Sequence, residues 1–151
     1  MYEGGRVVKQ LCWYKQEIAS DTKFILPIVE EIICFLKEYI VFSEELFFDV
    51  KVILNELMIN AVIHGNKKNI EKKVLIKVGI CDSNNLCIII EDEGEELNKN
   101  ICRCDDLANC FDEDSIMDLK ECGRGLKIVK DLSDKVTFNK KGNRIVVLKN
   151  I

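Results

Sequence analysis

Glu56, Asn60 and His64 are spaced four residues apart in the run Asn55-Glu56-Leu57-Met58-Ile59-Asn60-Ala61-Val62-Ile63-His64-Gly65-Asn66. On an α-helix that spacing stacks all three on one face. The residues between them are almost all apolar. A buried helix does not carry a carboxylate, an amide and the chain's single histidine in one line without polar company, because burying unpaired polar groups costs free energy. The stripe therefore implies a helix that faces a ligand, a metal or ordered water. The amide oxygen of Asn60 is a hard ligand suited to magnesium. Glu56, one turn earlier, could act as a general base on a hydroxyl or a water. Gly65 is expected to end the helix in a left-handed cap.

Two further motifs follow. Glu91-Asp92-Glu93-Gly94 comes directly after an apolar run. A carboxylate at a strand's end can accept a hydrogen bond from an exocyclic amine, and Gly94 would let the backbone approach a flat ring. Gly123-Arg124-Gly125-Leu126 opens a predicted helix. Its backbone N–H groups and helix dipole suit an anion, and the Arg124 guanidinium could reach phosphate oxygens. Each motif alone is also an ordinary acidic or glycine-rich turn.

The elements that must hold these residues are legible from periodicity. A first strand falls within Gln10 to Ala19, with Leu11, Trp13 and Tyr14 supplying bulk. Ser20 or Asp21 can cap the helix from about Thr22 to Tyr39, and Pro27 argues for a later start. Its apolar side is Ile25, Ile28, Val29, Ile32, Ile33 and Leu36. Ser43-Glu44-Glu45 starts a second helix that runs to His64. Its core face is Phe47, Val50, Ile53, Leu54, Leu57, Ala61 and Val62. Val74, Ile76, Val78 and Ile80 alternate as in a strand, and Leu86 to Glu91 forms a second strand across the turn Asp82-Ser83-Asn84-Asn85. A polar segment, about 95–122, is too long for a plain connector and has the character of a lid. Leu126 to Leu132 is a third helix. Val136 to Asn139 and Ile145 to Leu148 form a final hairpin around Lys141-Gly142-Asn143. The expected fold is α+β: a two-layer sandwich of a mixed, mostly antiparallel sheet of about five strands with helices on one face.

Composition narrows the function. A chain of 151 residues fits one domain, and a hydrophobic fraction of 48% excludes a disordered chain. The formal charge of −4 gives no basic footprint and argues against direct nucleic-acid binding. No segment has the character of a membrane span or a signal peptide, so a cytoplasmic location is expected. The eight cysteines are then expected as free thiols. Cys34, Cys81 and Cys87 lie in apolar runs and read as core residues. Cys102, Cys104, Cys110 and Cys122 fit no zinc or iron–sulfur spacing and read as a cysteine-rich loop, with a metal- or thiol-sensing role as the competing reading.

The order of the three motifs carries more than any one of them. A helix with Glu-x-x-x-Asn-Ala-x-x-His-Gly precedes strand-Asp-x-Gly, then a long loop, then Gly-x-Gly-Leu opening a helix with Asp134-Lys135-Val136 beyond it. From Ser20 to Leu148 this resembles the Bergerat ATP-binding fold of DNA gyrase, histidine kinases and a heat-shock chaperone. It is most similar to the single-domain anti-sigma serine/threonine kinases of Gram-positive bacteria. The resemblance implies one ATP-binding domain over 1–151, with its core at about 20–149 and its ATP lid at about 95–122. It implies that Asn60 coordinates the magnesium ion bridging the ATP phosphates and that Glu56 is the catalytic base. Asp92 would bind the adenine amine, with Gly94 lining the same pocket. Gly123, Arg124, Gly125 and Leu126 would hold the phosphate end. His64 would sit at the nucleotide site and orient the helix end rather than carry phosphate.

The implied function is an anti-sigma factor and protein serine kinase. It would sequester a sigma factor, phosphorylate an anti-anti-sigma partner and form a homodimer. The middle box lacks a second glycine, having Glu95 and Glu96 instead. The lid carries Asp105, Asp106, Asp112, Glu113, Asp114 and Asp118 against Lys99, Arg103 and Lys120. That acidity favours the alternative of a nucleotide-gated partner-binding regulator without kinase activity.

Overall fold

The computed structural model describes residues 12–81, 84–94 and 123–151. Strand β1 (Trp13–Ala19) leads through a 3-10 turn (Thr22–Phe24) into α1 (Ile25–Lys37) and α2 (Glu44–Ile59). A π-helical turn (Asn60–Gly65) extends α2. Strands β2 (Lys73–Cys81) and β3 (Asn85–Glu91), helix α3 (Gly123–Leu132) and strands β4 (Lys135–Phe138) and β5 (Arg144–Asn150) complete the described chain. The lid and the four cysteines placed in it lie outside the described residues, as do Leu11 and the turn residues Asp82 and Ser83.

Local chemistry explains the helix ends. The Asp21 side chain accepts from the Lys23 N–H and caps the 3-10 turn. That turn takes up the region where Pro27 forbids an earlier α-helix, so α1 starts at Ile25. The Ser43 side chain accepts from the Leu46 N–H, with Glu44 and Glu45 in the first turn of α2. All six residues expected on the apolar side of α1 are buried.

The five strands form one sheet in the order β1-β2-β3-β5-β4, and every pairing is antiparallel. Strand β5 thus inserts between β3 and β4, although β4 precedes it in sequence. The face toward the helices carries Ile18, Val74, Ile76, Val78, Leu86, Ile88, Ile90, Ile145 and Val147, all buried. They pack with the apolar sides of α1 and α2 and with Val129 of α3 in one core. The expected α+β architecture with helices on one face of the sheet is therefore observed, and the described sheet is wholly antiparallel rather than mixed. A half-buried ion pair, Lys149 Nζ to Asp49 at 3.0 Å, joins β5 to α2. The same ammonium donates to the Leu132 carbonyl at the end of α3. These bonds tie the end of α3 and the first half of α2 to β5.

Three expectations are corrected. The second helix does not continue as an α-helix to His64: its last turn widens to π geometry, with the Asn66 N–H bonded to the Ala61 carbonyl at 2.8 Å. Gly65 is not a left-handed cap. The left-handed residues are Lys67 (φ 52°) and Lys68 (φ 57°), two positions later. Of the three cysteines assigned to the core, Cys87 is buried, Cys81 is half-buried and Cys34 is exposed. Cys34 sits in an apolar run but off the 3.6-residue stripe that faces the sheet. Burial pushes the Cys87 thiol up to about 12, so it stays protonated and unreactive near neutral pH.

Candidate nucleotide site

One cavity draws its walls from α2, the end of β3, α3 and the β4–β5 hairpin. It is lined by Leu57, Asn60, Ala61, His64 and Gly65 from the end of α2, and by Ile90 and Asp92 from the end of β3. Leu126 of α3 and Phe138, Gly142, Asn143 and Ile145 of the last hairpin close it. The lining is mostly apolar with a few polar groups, the usual make-up of a small-molecule site.

Of the nine residues singled out by sequence, Asn60, His64, Asp92 and Leu126 line this cavity directly. Glu56 lies beside it, against α3. A Cβ at Gly125 would overlap Glu56 Oε2 and lie 3.7 Å from Asn60 Nδ2. The first turn of α3 thus rests on the Glu56–Asn60 edge of α2, and glycine leaves the Glu56 carboxylate its place there, while Asn60 stands at ordinary contact distance. The two motifs, far apart in sequence, meet here. Gly123 and Gly125 belong to the first turn of α3 itself rather than to a loop before it. The helix starts at Gly123, earlier than the sequence suggested, so its unpaired N-terminal N–H groups belong to these residues. Arg124 is exposed on that turn.

Gly94 is buried behind the cavity instead of lining it. A Cβ there would overlap the Gly65 carbonyl oxygen and stand 2.7 Å from Asp92 Oδ1. Gly65 is required for the reciprocal reason, because a Cβ would run into the Asp92 carboxylate. The close approach of these two backbones places the carboxylate over the end of α2. Asp92 Oδ1 accepts from the Gly94 N–H at 2.8 Å. Burial raises the Asp92 carboxyl above the usual range. The Gly94 N–H pulls it back down, neighbouring Glu91 adds to the rise, and Lys72 and Lys141 oppose it.

Asn60 Nδ2 is buried without a hydrogen-bond partner among the described residues. An asparagine head with no partner can present either its oxygen or its nitrogen to the same place. It therefore suits a hard cation or a phosphate oxygen. The described residues hold no group of three His, Cys, Asp or Glu side chains able to cage a metal. One amide oxygen beside one carboxylate instead fits magnesium that arrives with a polyphosphate and keeps water ligands.

Sequence reasoning missed two asparagines. Asn66 is 1% exposed and its side chain is fully engaged. It donates to Ser20 Oγ (2.8 Å) and to the Lys73 carbonyl (2.9 Å), and accepts from the Glu93 N–H (2.8 Å). Ser20, one of two residues offered as a helix cap, instead donates to the Lys72 carbonyl at 2.7 Å within this network. Asn143 donates its side-chain amide to the Asp92 carbonyl at 2.8 Å, and its own carbonyl accepts from the Asp92 N–H at 2.9 Å. Both residues bond to backbone groups remote in sequence, which no local pattern reveals. The apolar walls from Phe138 and Ile145 read in the sequence only as strand residues.

A sheet covered on one face by three helices, with a cavity between the end of α2 and the start of α3, defines a class. The chain belongs to the histidine kinase-like ATPase domain family, whose model matches residues 26–149. Within that class it is similar to the serine-protein kinase RsbW of Staphylococcus epidermidis, at 31% identity over 104 residues. The same kinase from two strains of that species matches equally well. The matched stretch is 68% of this chain and 65% of the length of those relatives.

Proposed function

We propose that the chain binds Mg-ATP and transfers the γ-phosphoryl group to a serine of a partner protein. The observation that carries this reading is the meeting of the Gly125 turn with Glu56 and Asn60 beside a cavity that Asn60 and Asp92 both line. In this reading Asp92 accepts from the adenine amine, and Leu57, Ile90, Leu126, Phe138 and Ile145 enclose the ring. The first-turn N–H groups of Gly123, Gly125 and Leu126, with Arg124, hold phosphate oxygens. Asn60 would hold magnesium, which when bound neutralises charge on the phosphates. Glu56 takes the proton from the serine hydroxyl as that oxygen attacks the γ-phosphorus and ADP leaves. His64 lines the cavity and orients the end of α2.

From the resemblance of its motifs to the anti-sigma serine/threonine kinases, we assign the partners as a sigma factor and an anti-anti-sigma protein. The latter would receive roughly −1.5 to −2 charges at its serine. The working unit would be a single cytoplasmic domain, paired as a homodimer. Among the described residues no helix is long and apolar enough to cross a membrane. The acidic composition of the segment 95–122 favours a second reading, nucleotide-gated capture of a partner without transfer.

Calorimetric titration with Mg-ATP, then incubation with γ-labelled ATP and a serine-bearing partner, tests the proposal. Binding with label transfer supports the kinase, and binding without transfer to the captured partner supports the second reading. Absence of Mg-ATP binding overturns both. Replacing Glu56 by alanine is expected to lower transfer by roughly 10²–10⁴-fold while sparing binding. Unchanged transfer would remove Glu56 from the role of base.

A further inference from the structure

The turn that carries Asp92 has no free backbone donor. The Asp92 N–H is held by the Asn143 carbonyl, the Glu93 N–H by Asn66 Oδ1, and the Gly94 N–H by Asp92 Oδ1. The Asp92 carbonyl is held by Asn143 Nδ2. The β3–β5 ladder ends at the pair Glu91 and Arg144, and Asp92 and Asn143 are the next residues across it. There the backbone supplies one of the two bonds of an antiparallel pair, and the Asn143 side chain supplies the other. The ladder is thereby extended by one residue, which is the residue whose carboxylate enters the cavity.

The amide of Asn143 is itself fixed. Asn139 Nδ2 donates to Asn143 Oδ1 at 2.8 Å, and Asn139 Oδ1 accepts from the Arg144 N–H at 3.2 Å. Gly142, with φ at 77°, makes the reversal that brings Asn143 back over Asp92. An amide oriented by one neighbour and spent on another is a positioning group.

We infer that Asn143, oriented by Asn139, is the positioning residue that sets the Asp92 carboxylate for recognition of the exocyclic amine of a purine base, and so fixes the nucleotide specificity of the site. The inference rests on the proposed nucleotide reading and deepens it. A carboxylate held in place accepts from a 6-amino purine, and faces a repelling oxygen in a 6-oxo purine. A carboxylate free to swing would find water in either case and discriminate weakly.

The test compares the affinities of ATP and of purine riboside 5′-triphosphate, which lacks the amine, for the full chain and its variants. The wild-type protein is expected to prefer ATP by roughly tenfold or more, the worth of one hydrogen bond to a charged group. Asn143→Ala should reduce that preference to within about threefold. The loss should fall mainly on ATP rather than on the amine-free nucleotide. In combination with Asp92→Ala it should add nothing further to the loss of preference. Asn139→Ala, at an exposed position, provides a second variant if Asn143→Ala folds poorly, and should give a partial loss of preference. A purely structural role would weaken both nucleotides in proportion and leave the ratio intact, which would overturn the inference. A wild-type protein that discriminates, with an Asn143 variant that discriminates equally, overturns the inference alone. A wild-type protein that binds neither nucleotide overturns the nucleotide reading with it.

Discussion

Asp92 is held where its charge is disfavoured, and that has a measurable sign. Its carboxyl is raised in the folded state, chiefly by burial. The stability this group contributes is present below its unfolded value and is lost as pH rises through the raised folded value. Above that value the buried charge of Asp92 works against the fold. Asp92→Asn keeps an oxygen for the Gly94 N–H and removes that charge. The variant is expected to melt at the same temperature or higher at pH 7, with the difference shrinking as pH falls into the carboxylate range. ATP affinity should fall by roughly tenfold or more. Scanning calorimetry across pH, with nucleotide titration, checks both.

Gly125 gives a second separation of stability from function. Alanine within a helix is normally better than glycine by about 1 kcal/mol. The obstacle at Gly125 is the carboxylate tip of Glu56, which can rotate away. Gly125→Ala should therefore keep or gain stability in denaturant titration, yet lose phosphoryl transfer as Glu56 is displaced. At this scale the residues legible in the sequence were those whose own type carries chemistry. Asn66 and Asn143 were hidden because they act through the main chain of residues 27 and 51 positions away.

At the scale of elements, the apolar stripe of α1 was readable residue by residue because one 3.6-residue period held along its whole length. The end of α2 was not, because the spacing of Glu56, Asn60 and His64 suits an unbroken α-helix equally well. The widened turn is paid for by tertiary contacts. It delivers Gly65 to Asp92 and Asn66 to the buried Ser20 network, which local propensity cannot anticipate. Past it, Lys67 and Lys68 both adopt left-handed φ, which costs an L-residue roughly 1–2 kcal/mol against the right-handed form. Lys67→Gly is expected to stabilise the fold by a few tenths to about 1 kcal/mol, after the entropy of glycine is subtracted. A higher midpoint in urea would show it. Gly94→Ala has no such relief, because a methyl there meets the fixed Gly65 carbonyl. A loss of about 1–3 kcal/mol is expected, the range for overpacking.

On the scale of the whole molecule, the antiparallel hairpins β2–β3 and β4–β5 were legible from alternation and turn residues, whereas the order β1-β2-β3-β5-β4 was not. Insertion of β5 beside β3 is a long-range choice, made by the match of Ile145 and Val147 to the core face of Ile88 and Ile90. The cavity depends on that choice, since its walls come from both sides of the β3–β5 seam. Mg-ATP at about 100 times its dissociation constant should stabilise the protein by about 2.7 kcal/mol. The seam also governs when that stabilisation can act. Residues of β3 must wait for those of β5, which are made later and arrive from far along the chain. Until the seam closes there is no pocket to fill. A ligand that recognises only the closed seam leaves the ascent to the transition state unaided and deepens the native well behind it. Nucleotide should accordingly leave the refolding rate almost unchanged and slow unfolding, making it a brake on loss of structure rather than a template for gaining it.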